Sequence, residues 1–259
     1  MCGLAAWIGK TPVRPERVKL LFEHIAYRGR DAAGMAMYAD GFWWIAKEFG
    51  PVTKPETMAA MLATVARIKP TGVLLHVRAA THGSPRREVN NHPIAGDHSI
   101  CMHNGVVSLP EKFTATGDTD TEQMVRAIEA YGIADGLGMT RGSFAIMRVD
   151  LSDPREVQIV RNSGSPLQYF RGKRARMWAS TPFKIGQKYS QSVPVGQLTV
   201  IDVRTLEQGQ TWLGALRAEI APVQLSWANR YESVPCQACG FTTRSASRLC
   251  LSCEMKEVI

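Results

Sequence analysis

The chain opens Met1-Cys2-Gly3, which puts a thiol next to the amino end. Removal of Met1, expected because the next side chain is small, leaves one residue carrying both a nucleophile and a candidate base. The thiolate is the attacking species, and an α-amine with a pKa of about 7.7–8.0 can take up a proton near neutral pH. Activation of a side-chain nucleophile by an N-terminal amine is an established arrangement for acyl transfer. A cysteine at position 2 is otherwise a plain first-strand residue, so the chemistry depends on what the rest of the chain supplies.

Three downstream segments supply it. Leu74–Gly83 begins as an apolar run and turns polar, a buried strand entering a loop with Arg78 at the transition. Asn90-Asn91-His92-Pro93 is a turn-rich stretch leading into Ser99–Val107, where an apolar strand is expected to break at Asn104-Gly105, a pair that tolerates positive φ. Thr119, with Glu122 three positions on and a helical pattern behind, reads as a helix N-cap. Each has a bland reading: a hairpin turn at Asn104-Gly105, a mere helix start at 118–122, an ion-pair role for Arg78, backbone partners for His82 and His103. Their order behind Cys2-Gly3 is what those readings leave unexplained.

Together the motifs resemble the class II glutamine amidotransferases, whose glutaminase domain is an N-terminal-nucleophile hydrolase. The match runs through Cys2-Gly3, Tyr27–Gly34, His76–Gly83, Asn91-His92-Pro93, His103-Asn104-Gly105 and Thr119–Glu122, and more faintly through Gly142–Ile146 and Trp178-Ala179-Ser180. The resemblance implies that Cys2 attacks the side-chain carboxamide of L-glutamine, forming a thioester and releasing ammonia. The Asn104 amide and the Gly105 N–H would hold the oxyanion. Arg78 would pair with the α-carboxylate, for which the guanidinium fork is suited, and Asp120 would accept from the α-ammonium. Thr81 and His82 would lie in the loop over glutamine, and Arg28 would organise the amino end. Ala79 departs from many relatives, which have an aromatic residue there that serves loop closure and the ammonia path in synthase-fused members.

The implied fold is α+β, a four-layer αββα sandwich. The pattern is compatible, with helices expected at Arg14–Tyr27, Pro55–Arg67 and Thr121–Tyr131. Strands are expected at Leu4–Ile8, Gly34–Tyr38, Phe42–Lys47, Val73–Val77, Ile100–His103, Phe144–Val149, Gln158–Arg161 and Leu198–Asp202. No phosphate-cradling glycine motif is present.

The tail carries Cys236-Gln237-Ala238-Cys239 and Cys250-Leu251-Ser252-Cys253. Four thiolates so spaced suit one tetrahedral structural Zn²⁺, over a spacer shorter than the common ~15–20 residues. Two disulfides are the main rival, with an iron–sulfur cluster behind them. A segment this small needs such a staple. Arg244, Arg248, Lys256 and Phe241 would suit docking to a protein or, less well, contact with nucleic acid.

Residues 2–222 are expected to form the glutaminase-like domain, 223–235 a linker, and 236–259 the zinc module. A formal charge of +8 is a mild bias toward acidic partners, since no run of like charges concentrates it. No apolar stretch reaches the ~18 residues of a membrane span, and no basic-then-apolar leader precedes Cys2, so a cytoplasmic protein is expected. Six cysteines, four in metal spacing, suit a reducing compartment. Relatives of this type carry a second domain that uses the ammonia; here only the tail follows, which leaves a separate synthase subunit as acceptor, with a nucleobase derivative as one option, or a freestanding amidohydrolase. A hydrolase of another γ-glutamyl-type amide and a non-catalytic zinc-ribbon protein are the remaining alternatives.

Overall fold

The computed structural model describes residues 1–113, 118–214 and 216, together with two short strands at Val234–Pro235 and Thr242–Thr243. Residues 223–233 of the expected linker and the four tail cysteines therefore lie outside the described residues.

Strand β1 (Gly3–Gly9) is buried along its whole length, and helix α1 (Pro15–Ile25) follows. Pro15 occupies the first helical turn, where its missing N–H costs nothing. Val18, Leu21, Phe22 and Ile25 recur on one face and are fully buried. A 3₁₀ turn, Ala26–Arg28, completes the helix expected over 14–27. Next come β2 (Ala32–Ala39), β3 (Phe42–Phe49), α2 (Pro55–Ile68) and β4 (Gly72–Arg78). The middle of the chain holds β5 (Ile94–Ala95), β6 (Ser99–Ser108), α3 (Asp120–Gly138), β7 (Arg141–Asp150) and β8 (Glu156–Arg161). After them run β9 (Gln168–Arg171), β10 (Ala175–Ala179), β11 (Lys184–Ile185), β12 (Lys188–Tyr189), β13 (Gln191–Ser192), β14 (Gln197–Asp202) and β15 (Gln208–Trp212).

Two antiparallel sheets stack face to face. One has the order β13-β9-β10-β1-β4-β2-β3, the other β15-β14-β8-β7-β6-β5. Side-chain alternation along each strand divides the interior. Leu4, Ala6, Ile8, Ala36, Leu74 and Trp178 of the first sheet meet Ile100, Met102, Ala145, Met147, Ile159 and Ile201 of the second. On the outer face of the first sheet, Trp7, Met35, Met37, Leu75 and Val77 pack under α1 and α2. On the outer face of the second, Cys101, Phe144, Ile146 and Val160 pack under Met124, Val125 and Ile128 of α3. Helix, sheet, sheet and helix thus form four layers with three apolar seams.

Strands β5, β9 to β13 and β15 lie outside those expected from the sequence, and two further details differ. The strand expected to break at Asn104-Gly105 runs on to Ser108, paired with β7 through Asn104↔Ala145, Gly105↔Phe144 and Val107↔Gly142. Packing across the sheet outweighs the turn tendency of the dipeptide. Helix α3 continues to Gly138, but Gly132 (φ 79°) interrupts it just past Tyr131, where the helical pattern ends in the sequence. Thr119 caps α3, its hydroxyl accepting from Glu122 N–H at 3.4 Å.

Candidate active site

The register of β1 with β4, Gly3↔Val77 and Leu4↔His76, places Cys2 opposite the end of β4, where Arg78 emerges. Cys2 is 8% exposed. Its sulfur accepts from Ala79 N–H at 3.4 Å and faces the Ala79 carbonyl at 3.6 Å. Burial pushes the thiol above its ordinary pKa, against a smaller opposite pull from the Ala79 N–H. Burial also pulls the α-amine at the chain start, here that of Met1, down to about 6. Both groups are therefore held in their neutral forms, thiol and amine, at neutral pH.

Arg28 does not reach the cleft but grips the amino end: its Nε donates to the Cys2 carbonyl at 2.8 Å. Gly29 lets the following backbone lie against the end of β4, since a Cβ there would sit 2.6 Å from the Arg78 carbonyl carbon and oxygen. Asp31, beside it, accepts from Ala80 N–H at 2.6 Å and fixes the start of the loop after β4.

Arg78 is 3% exposed. Nη1 donates to Asn91 Oδ1 at 2.8 Å, and Nη2 donates to the carbonyls of His82 and Gly83, the latter at 2.9 Å. The guanidinium thus pins the 79–91 loop with three of its donors. That leaves Nε–H and the second Nη1–H, since a guanidinium has five in all.

The second sheet supplies Asn104 and Gly105. The N–H and carbonyl of Phe144, opposite Gly105, are both committed to Asn162 at 2.9 Å. Gly105 is accordingly in a non-hydrogen-bonded pair, and its own N–H points away from β7, toward the cleft edge. Val107 N–H projects on the same side and reaches Asp120 Oδ2 at 2.9 Å. Gly105 adopts φ 149°, and a Cβ there would strike the Ser143 carbonyl and stand 2.8 Å from His103 Nε2. The Asn104 amide is fully buried, and neither Nδ2 nor Oδ1 has a partner. An unpaired buried amide costs ~1–3 kcal/mol.

Cys2, Arg78, Thr81, His82, Gly105 and Asp120 line one narrow cleft. It has room for about one water molecule. The sequence reading assigned no role to His76, His92, His103 or Thr121, the last three of which also line it. Their signal was present in the His-Asn-Gly and Asn-His-Pro motifs, but nothing in the sequence shows that the histidines meet. Cys101, by contrast, is a core residue whose thiol burial pushes up to about 12. Among the described residues no cluster of His, Cys, Asp and Glu could hold a metal, and no helix is long and apolar enough to cross a membrane.

Two stacked antiparallel sheets between helices, with Cys2 at the head of a central strand, are the fold of the N-terminal-nucleophile glutamine amidotransferases. Solved structures share it. Glutamine phosphoribosylpyrophosphate amidotransferase of B. subtilis superposes with a TM-score of 0.64 at 18% identity, covering 82% of this chain and 49% of that one. A glutamine aminotransferase class-II domain protein from Silicibacter pomeroyi does so with a TM-score of 0.53 at 17% identity, covering 82% of this chain and 99% of that one. In sequence the chain is similar to glutamine–fructose-6-phosphate aminotransferases. It is 32% identical to that of Campylobacter jejuni over 180 residues, 63% of this chain and 29% of the relative. With that of Bacteroides thetaiotaomicron it is 33% identical over 189 residues, 64% and 30%. The chain thus spans about a third of the length of these curated relatives. No protein-family model matches it.

Proposed function

We propose that this protein is a glutaminase of the class II amidotransferase type, releasing ammonia from L-glutamine through an acyl-enzyme on Cys2 once Met1 is removed. The observation that carries the reading is the single cleft lined by Cys2, Arg78, Asp120 and Gly105. Glutamine is a zwitterion with a carboxamide at the far end, and the cleft offers a cation, an anion and a nucleophile in one place.

In the proposed reaction the Cys2 sulfur bonds to the carboxamide carbon while the thiol proton passes to the α-amine. The resulting oxyanion is met by the Gly105 N–H and, with a rotamer change, the orphaned Asn104 amide. Donors of this kind are worth ~3–4 kcal/mol each in acyl transfer. Collapse breaks the carbon–nitrogen bond, and the proton held by the amine leaves with ammonia. Water then cleaves the thioester to give glutamate. Arg78 receives the α-carboxylate on its remaining donors, and Asp120 takes the α-ammonium. Thr81 and His82 close over the substrate.

The ammonia goes, in this reading, to a separate synthase. The relatives' names couple glutamine to transfer onto fructose 6-phosphate, and this chain matches about a third of their length; its own acceptor is unassigned. Cys236, Cys239, Cys250 and Cys253 are proposed to hold one structural Zn²⁺, in a tail that docks the partner, with nucleic-acid contact as the rival role. The support is their spacing. Equimolar zinc in the purified full chain, lost in C236S, supports it; a metal-free chain refutes it.

Incubation of Met1-processed protein with glutamine should yield equal glutamate and ammonia, and diazo-oxo-norleucine should add once, at Cys2. Retention of Met1, or failure of the reagent to attach there, overturns the reading.

A further inference from the structure

A single hydroxyl joins three of the segments that line the cleft. Thr121 Oγ1 lies 3.0 Å from His92 Nε2 and 3.0 Å from His103 Nδ1. The positions of the protons follow from the partners. His103 Nε2 faces the Ser143 carbonyl at 3.3 Å, which can only accept, so that nitrogen carries the hydrogen. Burial keeps the ring neutral, which leaves Nδ1 a lone pair that needs a donor. The Thr121 hydroxyl provides it. With its one proton committed, Thr121 Oγ1 can only accept from His92, so His92 Nε2 carries hydrogen. The result is a directed chain, His92 N–H to Thr121 O–H to His103 to the Ser143 carbonyl. His76 packs on it, stacked on His92 at 4.0 Å between ring centroids and donating from Nε2 to the His103 carbonyl at 3.0 Å.

Each member of this chain is next in sequence to a group that faces the proposed substrate or holds one that does. His92 follows Asn91, which holds Arg78. Thr121 follows Asp120, and His103 precedes Asn104-Gly105. The direction of the Thr121 proton also matters for Asp120. Oδ1 of that carboxylate lies 3.5 Å from the Thr121 oxygen and would be the alternative acceptor. With the proton turned to His103, Oδ1 keeps a lone pair beyond the bond it accepts from Thr121 N–H at 2.9 Å.

We infer that Thr121 is a positioning residue: its hydroxyl, through His92 and His103, registers the arginine, carboxylate and oxyanion groups against one another and leaves Asp120 open to an ammonium. The inference deepens the glutaminase reading and rests on it. T121V removes the hydroxyl at nearly constant volume, whereas T121S keeps it. T121V should raise KM for glutamine and lower kcat, each about tenfold, given the cost of a buried hydrogen bond left unmade, and T121S should recover most of both. Rates are counted per site titrated with diazo-oxo-norleucine, so loss of folded protein does not enter. Unchanged KM and kcat per titrated T121V site overturn the inference. ¹⁵N NMR of the unsubstituted protein, with no substrate present, should show hydrogen on Nε2 and none on Nδ1 of His92 and His103 at pH 7.5. A protonated Nδ1 on His103 overturns the chain even where T121V fails to fold. Absence of ammonia release by the unsubstituted protein counts instead against the glutaminase reading, because the NMR pattern is read independently of it.

Discussion

Burial acts in opposite senses on the two groups at the head of the chain, raising the Cys2 thiol and lowering the α-amine beside it. The lowered amine is that of Met1; once Met1 is removed, the proposed base is the amine of Cys2 itself, which lies deeper at the same end of the chain. Burial at that end should depress this amine too, so that its basic form persists to lower pH than for an ordinary amine near 8. For the processed protein, kcat/KM should therefore rise with pH through a midpoint below 8, and a midpoint at or above 8 in the pH–rate profile would remove the amine from this role. Asn104→Ala should lower kcat by about 10²–10³ while leaving KM within a few-fold, because in the proposed reaction the amide, without a partner at rest, engages only the oxyanion. Arg78→Lys should raise KM by about tenfold or more, since an ammonium cannot span Asn91, two carbonyls and a carboxylate. Steady-state kinetics check both.

Strand β6 and the 79–91 loop decide whether those residues can act together. Gly105 sits in a strand, yet at a φ that a side chain resists and against a carbonyl that a Cβ would strike. Gly105→Ala should therefore destabilise the fold by ~1 kcal/mol or more and turn the N–H away from the cleft, which melting curves and kcat report separately. The loop is tied down at Arg78, at Asn91 through its bond to the Pro85 carbonyl, and at an exposed Arg87–Asp118 ion pair of 2.6 Å. With room for about one water beneath it, the loop would have to lift to admit the proposed substrate, glutamine, and settle afterward. Hydrogen exchange over residues 80–90 should slow once Cys2 carries diazo-oxo-norleucine; equal exchange before and after would mean that entry occurs by another route.

Three histidines, His76, His92 and His103, are buried around the cleft, a fourth, His24, is half-buried against Thr181, and all four are held neutral. Burial lowers His24 to about 4 and His76 to about 3, drives His92 well below its usual range, and lowers His103. In the unfolded chain each titrates near 6.5, so between those values the unfolded state binds more protons. The stability this represents is complete above about 6.5 and falls with pH by up to ~1.4 kcal/mol per unit for each histidine. The urea midpoint should drop between pH 7 and pH 5, and a midpoint flat across that window would show that the histidines are not buried neutral.

Much of this molecule is written locally. Pro15 and Pro55 open helices, Thr119 caps one, and the recurrence of Val18, Leu21, Phe22 and Ile25 sets a buried face. Such features depend on backbone preference and on a 3.6-residue period, both of which a short stretch of sequence carries. The candidate chemistry of Cys2, Asn104 and Gly105 was legible for the same reason, as residue types in short motifs. Only the tertiary structure decided that β6 runs through Asn104-Gly105, that Cys2 stands opposite Arg78, that Arg78 spends three donors on its own loop, and that three histidines share one core with Thr121. Those outcomes rest on register between strands far apart in sequence, set by which side chains fill the seam between two sheets, and no local preference encodes that choice.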